Sequence, residues 1–483
     1  MKTLKITAAL ATLAIALTAQ QTAFAEGSTP VYVEAASANE SIQVLATSGD
    51  KFGNYVLPGT PDGLGVYKSG NGFKMLLNHE FTSTASAFAR ANGLISGGTT
   101  ITELTLDANM KVVSATDAIK RVVWYDYQTG TYGSKPGAPT DAAAKNSYGD
   151  PFHTTALQRF CSASLAAAGT FAYTQKVGTK TTTIGYAKPV FLTGEEDGAE
   201  SRSFALNADG ELVQLPKLGL ADTETFNAAP GNRLQTILIG DEDGAVNTSE
   251  LRLYLGAKTN SGAWYERAGL TNGQLYYAKV EDILNDTAFR STIGKGKPTA
   301  VSFKAIDTSV NGAAQAKQGT SIATGFSRIE DGQFDPLHPN DYYFVQKSSA
   351  KAAVALTLDP DNALVTKRDG GAMWKLSFTD VKNPQKGATL TMVLDGSEAP
   401  YLNMPDNITV DKHGNVLIQE DPGNNAQVSR VFAYNIATKK IATVAKFKDV
   451  YFSPDATVAT SKITEDEESS GIIEVTNFFK KSA

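Results

Sequence analysis

Short runs of alternating apolar and polar residues, each closed by Gly, Asn, Asp or Pro, recur from one end of this chain to the other. Alternation with period two buries one face of a strand and wets the other, so the pattern selects antiparallel β-sheet over helix. Residues 101–106 (ITELTL) lead through Asp107-Ala108-Asn109 into 110–115 (MKVVSA), and 203–206 (SFAL) lead through Asn207-Ala208-Asp209-Gly210 into 211–215 (ELVQL). From 408 onward, NITV, Asp411-Lys412-His413-Gly414, NVLIQE, a Gly-Asn loop, RVFAYN and KIATVAKF follow in order, reading as four antiparallel strands in series. Four such strands make one blade of a β-propeller, and 373–395 reads as part of the blade before it. The 42 glycines are spread along the chain, as many tight turns require. The expected class is all-β: a propeller with short helices in the inter-strand loops, with a pair of packed sheets as the alternative. Helical periodicity is confined to 156–168 and 279–290, the two segments expected to form short helices.

The first residues carry an export signal. Lys2 and Lys5 precede an uncharged apolar run from Ile6 to Ala19, and Ala23-Phe24-Ala25 supplies the small-x-small cleavage pattern, with Glu26 opening the mature chain. No Arg-Arg pair precedes the run, which favours the general secretory route. Residues 26–483 show no linker or break in composition and are read as one domain, periplasmic or extracellular, monomeric, and without membrane contact after cleavage. The formal net charge of −6 argues against nucleic acid as a partner. The single cysteine, Cys161, rules out an intrachain disulfide and is read as a small buried apolar residue.

Acidic clusters stand out at the ends of strands. Met75 to Glu80 ends in an amide, an imidazole and a carboxylate, and Phe191 to Gly198 ends in Glu195-Glu196-Asp197. Ile237 to Gly244 repeats the device with Asp241-Glu242-Asp243. Met404-Pro405-Asp406-Asn407 precedes a strand, and Ile418-Gln419-Glu420-Asp421 follows one. One such cluster is most often a solvated turn. Several of the same kind point to hard oxygen ligands for calcium-like ions, because neighbouring carboxylates repel unless a cation lies between them. The four histidines, His79, His153, His338 and His413, have no metal-ligand spacing, and only His79 adjoins a candidate site. No Gly-x-Ser-x-Gly elbow or phosphate-cradling glycine loop is present, which weakens serine-hydrolase and nucleotide-triphosphatase readings.

Those segments resemble the PhoX-type alkaline phosphatases. The matching strings are LLNHEF at 76–81, FLTGEED at 191–197, GDED at 240–243, the stretch from Arg328 to Gly332, and MPDNITVDKHGNVLIQEDPGN at 404–424. The resemblance implies a six-bladed propeller with calcium and iron at the channel mouth, hydrolysing phosphate monoesters of small exogenous substrates. By motif it implies Glu80, Glu195, Glu224, Asp241, Glu330 and Asp406 as metal ligands, with Arg328 as the catalytic residue on the substrate phosphate. This chain departs from the family pattern at Gly194, where the pattern has an iron-binding cysteine. Two other readings fit the same residues. One is a propeller hydrolase of the phytase, lactone or phosphotriester kind using calcium alone; the other is a calcium-stabilised binding propeller without activity.

Overall fold

The computed structural model describes residues 31–82, 88–89, 95–96, 98–137, 155–347, 356–358, 364–366, 371–423, 428–453, 463–464 and 466–479. The segment read as a signal peptide and His153 lie outside the described residues. Residues Val33–Ala483 form one compact unit.

Almost all the regular structure is strand; apart from four two-stranded ribbons, the described strands form five sheets along the chain, the third and fourth of them joined edge to edge as one nine-stranded sheet. Each sheet opens with an antiparallel pair. These pairs are β1 (Pro61–Ser69) with β2 (Gly72–His79), β3 (Phe160–Ala166) with β4 (Val190–Glu195), and β5 (Thr223–Ala228) with β6 (Gln235–Glu242). The series continues with β7 (Ile329–Phe334) and β8 (Asp341–Gln346), then β9 (Pro405–Val410) and β10 (Asn415–Glu420). Further strands extend each pair outward, at least two in every sheet and four in the second. In the fifth sheet they are Arg430–Asn435 and Ile441–Phe447, and Val33–Ala35 adds to the outer edge. The third and fourth sheets share Thr299–Ala305 as their common outermost strand. The four strands expected from 408 onward are therefore present in the expected order.

First strands pack against first strands: β1 meets β3, β3 meets β5, β5 meets β7 and β7 meets β9. The approach of β1 to β3 is so close that a Cβ at Gly63 would lie 2.2 Å from the Ala163 amide nitrogen, which fixes glycine there. Apolar side chains fill the wedge between each sheet and the next. Leu76, Phe160 and Phe204 lie between the first and second, and Leu192, Phe226 and Tyr254 between the second and third. Ile239, Phe344 and Trp374 join the third to the fourth, and Val345, Ile408 and Ile418 the fourth to the fifth. The result is a β-propeller-like series of sheets with its first strands at the centre. The resemblance implies six blades; the described residues supply five sheets, with the segment 466–479 beside the fifth and the first. Gly471 donates its amide to Asn407 Oδ1 at 2.7 Å, while Ile473, Val475 and Phe478 pack on the first sheet.

One helix expectation is corrected and one is shifted. Residues 156–168 hold no helix: Phe160–Ala166 is β3, a first strand packed on both faces, so its apolar run carries no strand alternation to read. In 279–290, Lys279 ends a strand and the helix spans Asp286–Thr292, capped by the Asn285 side chain accepting from the Ala288 amide at 2.9 Å.

Trp374 anchors the thickest wedge. It is fully buried, meets Phe289 and Phe326 edge-on at 5.0 and 5.5 Å, and donates its indole N–H to Gln346 Oε1 at 2.8 Å. Trp374→Ala should cost about 3–5 kcal/mol of stability, read as a lower midpoint in urea denaturation followed by far-ultraviolet circular dichroism.

Candidate metal centre

Each of the five sheets contributes two side chains to one buried region, always from the same two places. The first place is a register break near the start of the first strand. These breaks lie between Pro61 and Leu64, Phe160 and Ala163, Thr223 and Thr225, Ile329 and Gly332, and Pro405 and Ile408. They carry Asp62, Cys161, Glu224, Glu330 and Asp406 respectively. An irregularity of this kind interrupts the ladder and re-aims a side chain off the regular pleat. The second place is the residue immediately after the second strand: Glu80, Glu196, Asp243, Lys347 and Asp421. Eight of these ten residues are carboxylates, one is a thiol and one an ammonium.

Neighbouring sheets combine these residues into triads. Asp62, Glu80 and Cys161 bring one ligand atom each to within 4.8 Å of one another, as do Cys161, Glu196 and Glu224, and then Glu224, Asp243 and Glu330. Each triad holds the break residue of one sheet, its strand-end partner, and the break residue of the next sheet. Cys161 and Glu224 are shared, so the three form a continuous arc.

Such packing is electrostatically unfavourable without added positive charge. Burial, reinforced by neighbouring acids, pushes Asp62, Glu196 and Glu330 well above the usual carboxylate range; it takes Glu224 to about 8 and Asp406 to about 6. The Cys161 thiol is pushed up by the same two causes. Both oxygens of Asp62, Oε1 of Glu224 and Oδ1 of Asp406 are buried without a hydrogen-bond partner. A bound cation meets both needs, offering a partner to these oxygens and countercharge to the acids, so the donor set fits metal ions.

Three protein cations stand among these acids. Arg159, at positive φ on the approach to β3, donates Nε to Glu80 Oε1 at 2.9 Å and places Nη2 3.1 Å from Glu196 Oε2. Arg328, also at positive φ, grips Asp243 with Nε to Oδ1 at 2.8 Å and Nη2 to Oδ2 at 2.5 Å. Burial alone would raise the Asp243 carboxyl, but the Arg328 guanidinium holds it below its ordinary value. The Lys347 ammonium lies 2.7 Å from Asp406, 2.9 Å from Asp421 and 3.2 Å from Glu330. Burial works against its charge, yet these three acids outweigh that and raise its pKa.

Of the residues implied by resemblance, Glu80, Glu224 and Glu330 lie in the arc, Asp406 lies beside Lys347, and Arg328 lies at the edge of the arc. Glu195 and Asp241 do not join it. Glu195 is the last residue of β4 and faces opposite to Glu196, as strand alternation requires. Its carboxylate is taken up by Arg202, with Nε 2.7 Å from Oε2 and Nη2 2.6 Å from Oε1, and accepts the Gln158 amide. Asp241 sits inside β6, where it accepts the Tyr342 hydroxyl from the fourth sheet. Its place is taken by Asp243, and that of Glu195 by Glu196.

Cys161 is buried, as expected, and the register break of β3 also sets its sulfur in two triads at once. Position 194 has no room for a cysteine: a Cβ there would lie 2.4 Å from Thr223 Cβ. The thiol comes instead from β3, the strand paired with β4. Glu196, Asp243 and Asp421 fall in the acidic clusters read from the sequence but not among the ligands implied by resemblance, and Asp62 and Lys347 are not picked out at all. A usable signal exists: the residue one past each second strand is charged in all five sheets. His79 is no ligand, since its ring binds Gly59 O at 2.8 Å and Thr102 Oγ1 at 2.7 Å, and burial lowers its pKa to about 4. His338 pairs with Asp335, and His413 is exposed in a turn.

Residues 254–476 match the alkaline phosphatase PhoX family. The family likeness is to PhoX. The matched span takes in Arg328, Glu330, Lys347, Asp406 and Asp421. Among solved structures, Pseudomonas fluorescens PhoX in complex with vanadate, a transition state analogue, aligns with a TM-score of 0.55 at 12% identity, covering 80% of this chain and 80% of that one. At that identity the likeness to PhoX is one of fold. No curated protein matches the chain.

The division between Glu195 and Glu196 is testable. Glu195→Ala removes the carboxylate of a buried ion pair with Arg202 and should cost about 3–5 kcal/mol in denaturant unfolding while the bound-metal count stays unchanged. Glu196→Gln should do the reverse, lowering bound metal measured by mass spectrometry with little change in the unfolding midpoint of the chelated protein.

Proposed function

We propose that this chain is an exported, metal-dependent phosphoric monoester hydrolase of the PhoX kind, releasing phosphate from exogenous organic phosphates. The observation that carries the reading is the arc of three linked triads, with Arg328 beside it. The PhoX family match over 254–476 and the fold shared with a vanadate-binding PhoX support the same reaction class. The export signal at 1–25, the single domain 26–483 and a monomeric mature form belong to this proposal.

The donor types suggest which ions the arc takes. Cys161 is shared by two triads, and a thiolate suits a softer transition ion such as iron. Glu224, Asp243 and Glu330 form an all-oxygen triad, which suits calcium. Cys161 thus favours calcium with iron over calcium alone. Ions bound there supply Lewis-acid neutralisation of phosphate oxygens and lower the pKa of bound water.

Arg328 is the side chain placed to hold substrate. Asp243 takes the Nε–Nη2 edge of its fork, and among the described residues no hydrogen bond uses Nη1. A guanidinium clamped on one edge presents the other in a fixed direction to two oxygens of a phosphate. The partial exposure of its side chain, 21%, leaves that approach open. Arg159 repeats the arrangement across the arc, with Glu80 and Glu196 on its fork.

The decisive experiment is hydrolysis of a chromogenic phosphate monoester by the mature protein, after chelation and after restoring calcium with and without iron. Activity restored only by calcium with iron is the expected result. Restoration by calcium alone would establish the iron-free hydrolase, and a folded, metal-loaded protein without activity would overturn the enzymatic reading. Arg328→Ala should lower turnover on the order of 10²–10³-fold with bound metal unchanged; parallel loss of metal and turnover would remove Arg328 from the substrate-binding role.

A further inference from the structure

The sheet-to-sheet rule that builds the arc predicts a fourth triad, and the structure shows what stands there. The rule takes a break residue, the strand-end residue of the same sheet, and the break residue of the next. Applied to the fourth sheet it gives Glu330, residue 347 and Asp406. In the other four sheets the strand-end residue is an acid; here it is Lys347. Its ammonium lies between the two break residues, 3.2 Å from Glu330 and 2.7 Å from Asp406, and 2.9 Å from Asp421 as a third contact.

We infer that Lys347 is a built-in substitute for a metal ion: its ammonium fills the fourth cation position of the series, which in the other sheets a strand-end acid would help to coordinate. Three features carry this. An ammonium has three donors and no acceptor, and it meets three carboxylates, so its bonding capacity is used up. The side chain is 6% exposed, so water offers little alternative stabilisation. The contacts are charge-assisted donor distances rather than the 2.3–2.6 Å of calcium to oxygen, so the carboxylates are spaced for nitrogen. One unit of charge then does the work of two, and the metal centre ends at the Glu224–Asp243–Glu330 triad. Arg328, 3.5 Å from Glu330, stands at that same boundary.

The inference rests on reading the arc as a metal centre, and its test separates the two. Lys347→Glu restores an acid at the fourth strand end, Lys347→Met removes the charge, and Lys347→Arg keeps it. Each full-length mature protein is equilibrated with calcium chloride, freed of unbound ion and analysed for bound calcium by mass spectrometry. Thermal midpoints are recorded in calcium and in chelator. Lys347→Glu should carry one more calcium per chain than the wild type, with a larger calcium-dependent rise in midpoint. Lys347→Met should show the same gain with weaker retention, and Lys347→Arg should match the wild type. A folded Lys347→Glu protein with the wild-type calcium count overturns the inference, as does one that stays unfolded in calcium, because a cage able to take the ion would be refilled by it. A wild type that binds no metal would sink the metal-centre reading instead, even if Lys347→Glu gained calcium.

Discussion

Mutual repulsion among buried carboxylates is the constraint on which the centre of this protein depends. Asp62, Glu196, Glu224, Asp243, Glu330 and Asp406 are all nearly inaccessible to water; the first five lie in overlapping groups, and Asp406 joins Glu330 through Lys347. In a low-dielectric interior such charges cannot coexist unless they are protonated or paired. Three protein cations cover part of the demand. Arg159 serves Glu80 and Glu196, Arg328 serves Asp243 and Glu330, and Lys347 serves Glu330, Asp406 and Asp421. Among the described residues no salt bridge ends on Asp62 or Glu224 themselves, and added ions have most to contribute there.

The fold resolves a second electrostatic problem with one repeated device. Wherever a second strand ends in glutamate, that glutamate turns away from the arc and caps the backbone at the start of the third strand. Glu195 accepts the Arg202 amide at 3.1 Å, Glu242 the Glu250 amide at 3.0 Å, and Glu420 the Arg430 amide at 3.1 Å. In the second and fifth sheets the arginine then closes a buried ion pair on the same carboxylate. Two acids in sequence thus have opposite duties. The first locks a sheet corner and the next faces the arc, because successive strand residues point to opposite faces. In the second and fifth sheets the guanidinium at the corner keeps the first acid from competing with the second for the same countercharge.

This arrangement explains what could be read from sequence and what could not. The strands of the fifth sheet were legible because their alternation is clean and their turns are punctuated by Asp, Gly and Asn. The inner strand Phe160–Ala166 was not, since packing on both faces removes the alternation that distinguishes strand from helix. Acidic strand ends were visible as clusters. Which member of each pair would face the arc depended on one residue of register, and a one-residue shift reverses every assignment.

The sequence by itself determined the β class, the acidic strand ends and the chemistry on offer: hard oxygens, one thiol and a few cations. Tertiary structure decided the rest. Cys161 became part of the arc only because a register break in β3 turns it toward the carboxylates, and Gly194 lost that role because the next sheet packs directly on it. Lys347 looks like any strand-end lysine until the fourth and fifth sheets bring Glu330, Asp406 and Asp421 around it. The physical reason is common to both. Alternation and turn residues act over a few positions and can be read locally, whereas countercharge acts between residues that only the packing of successive sheets makes neighbours.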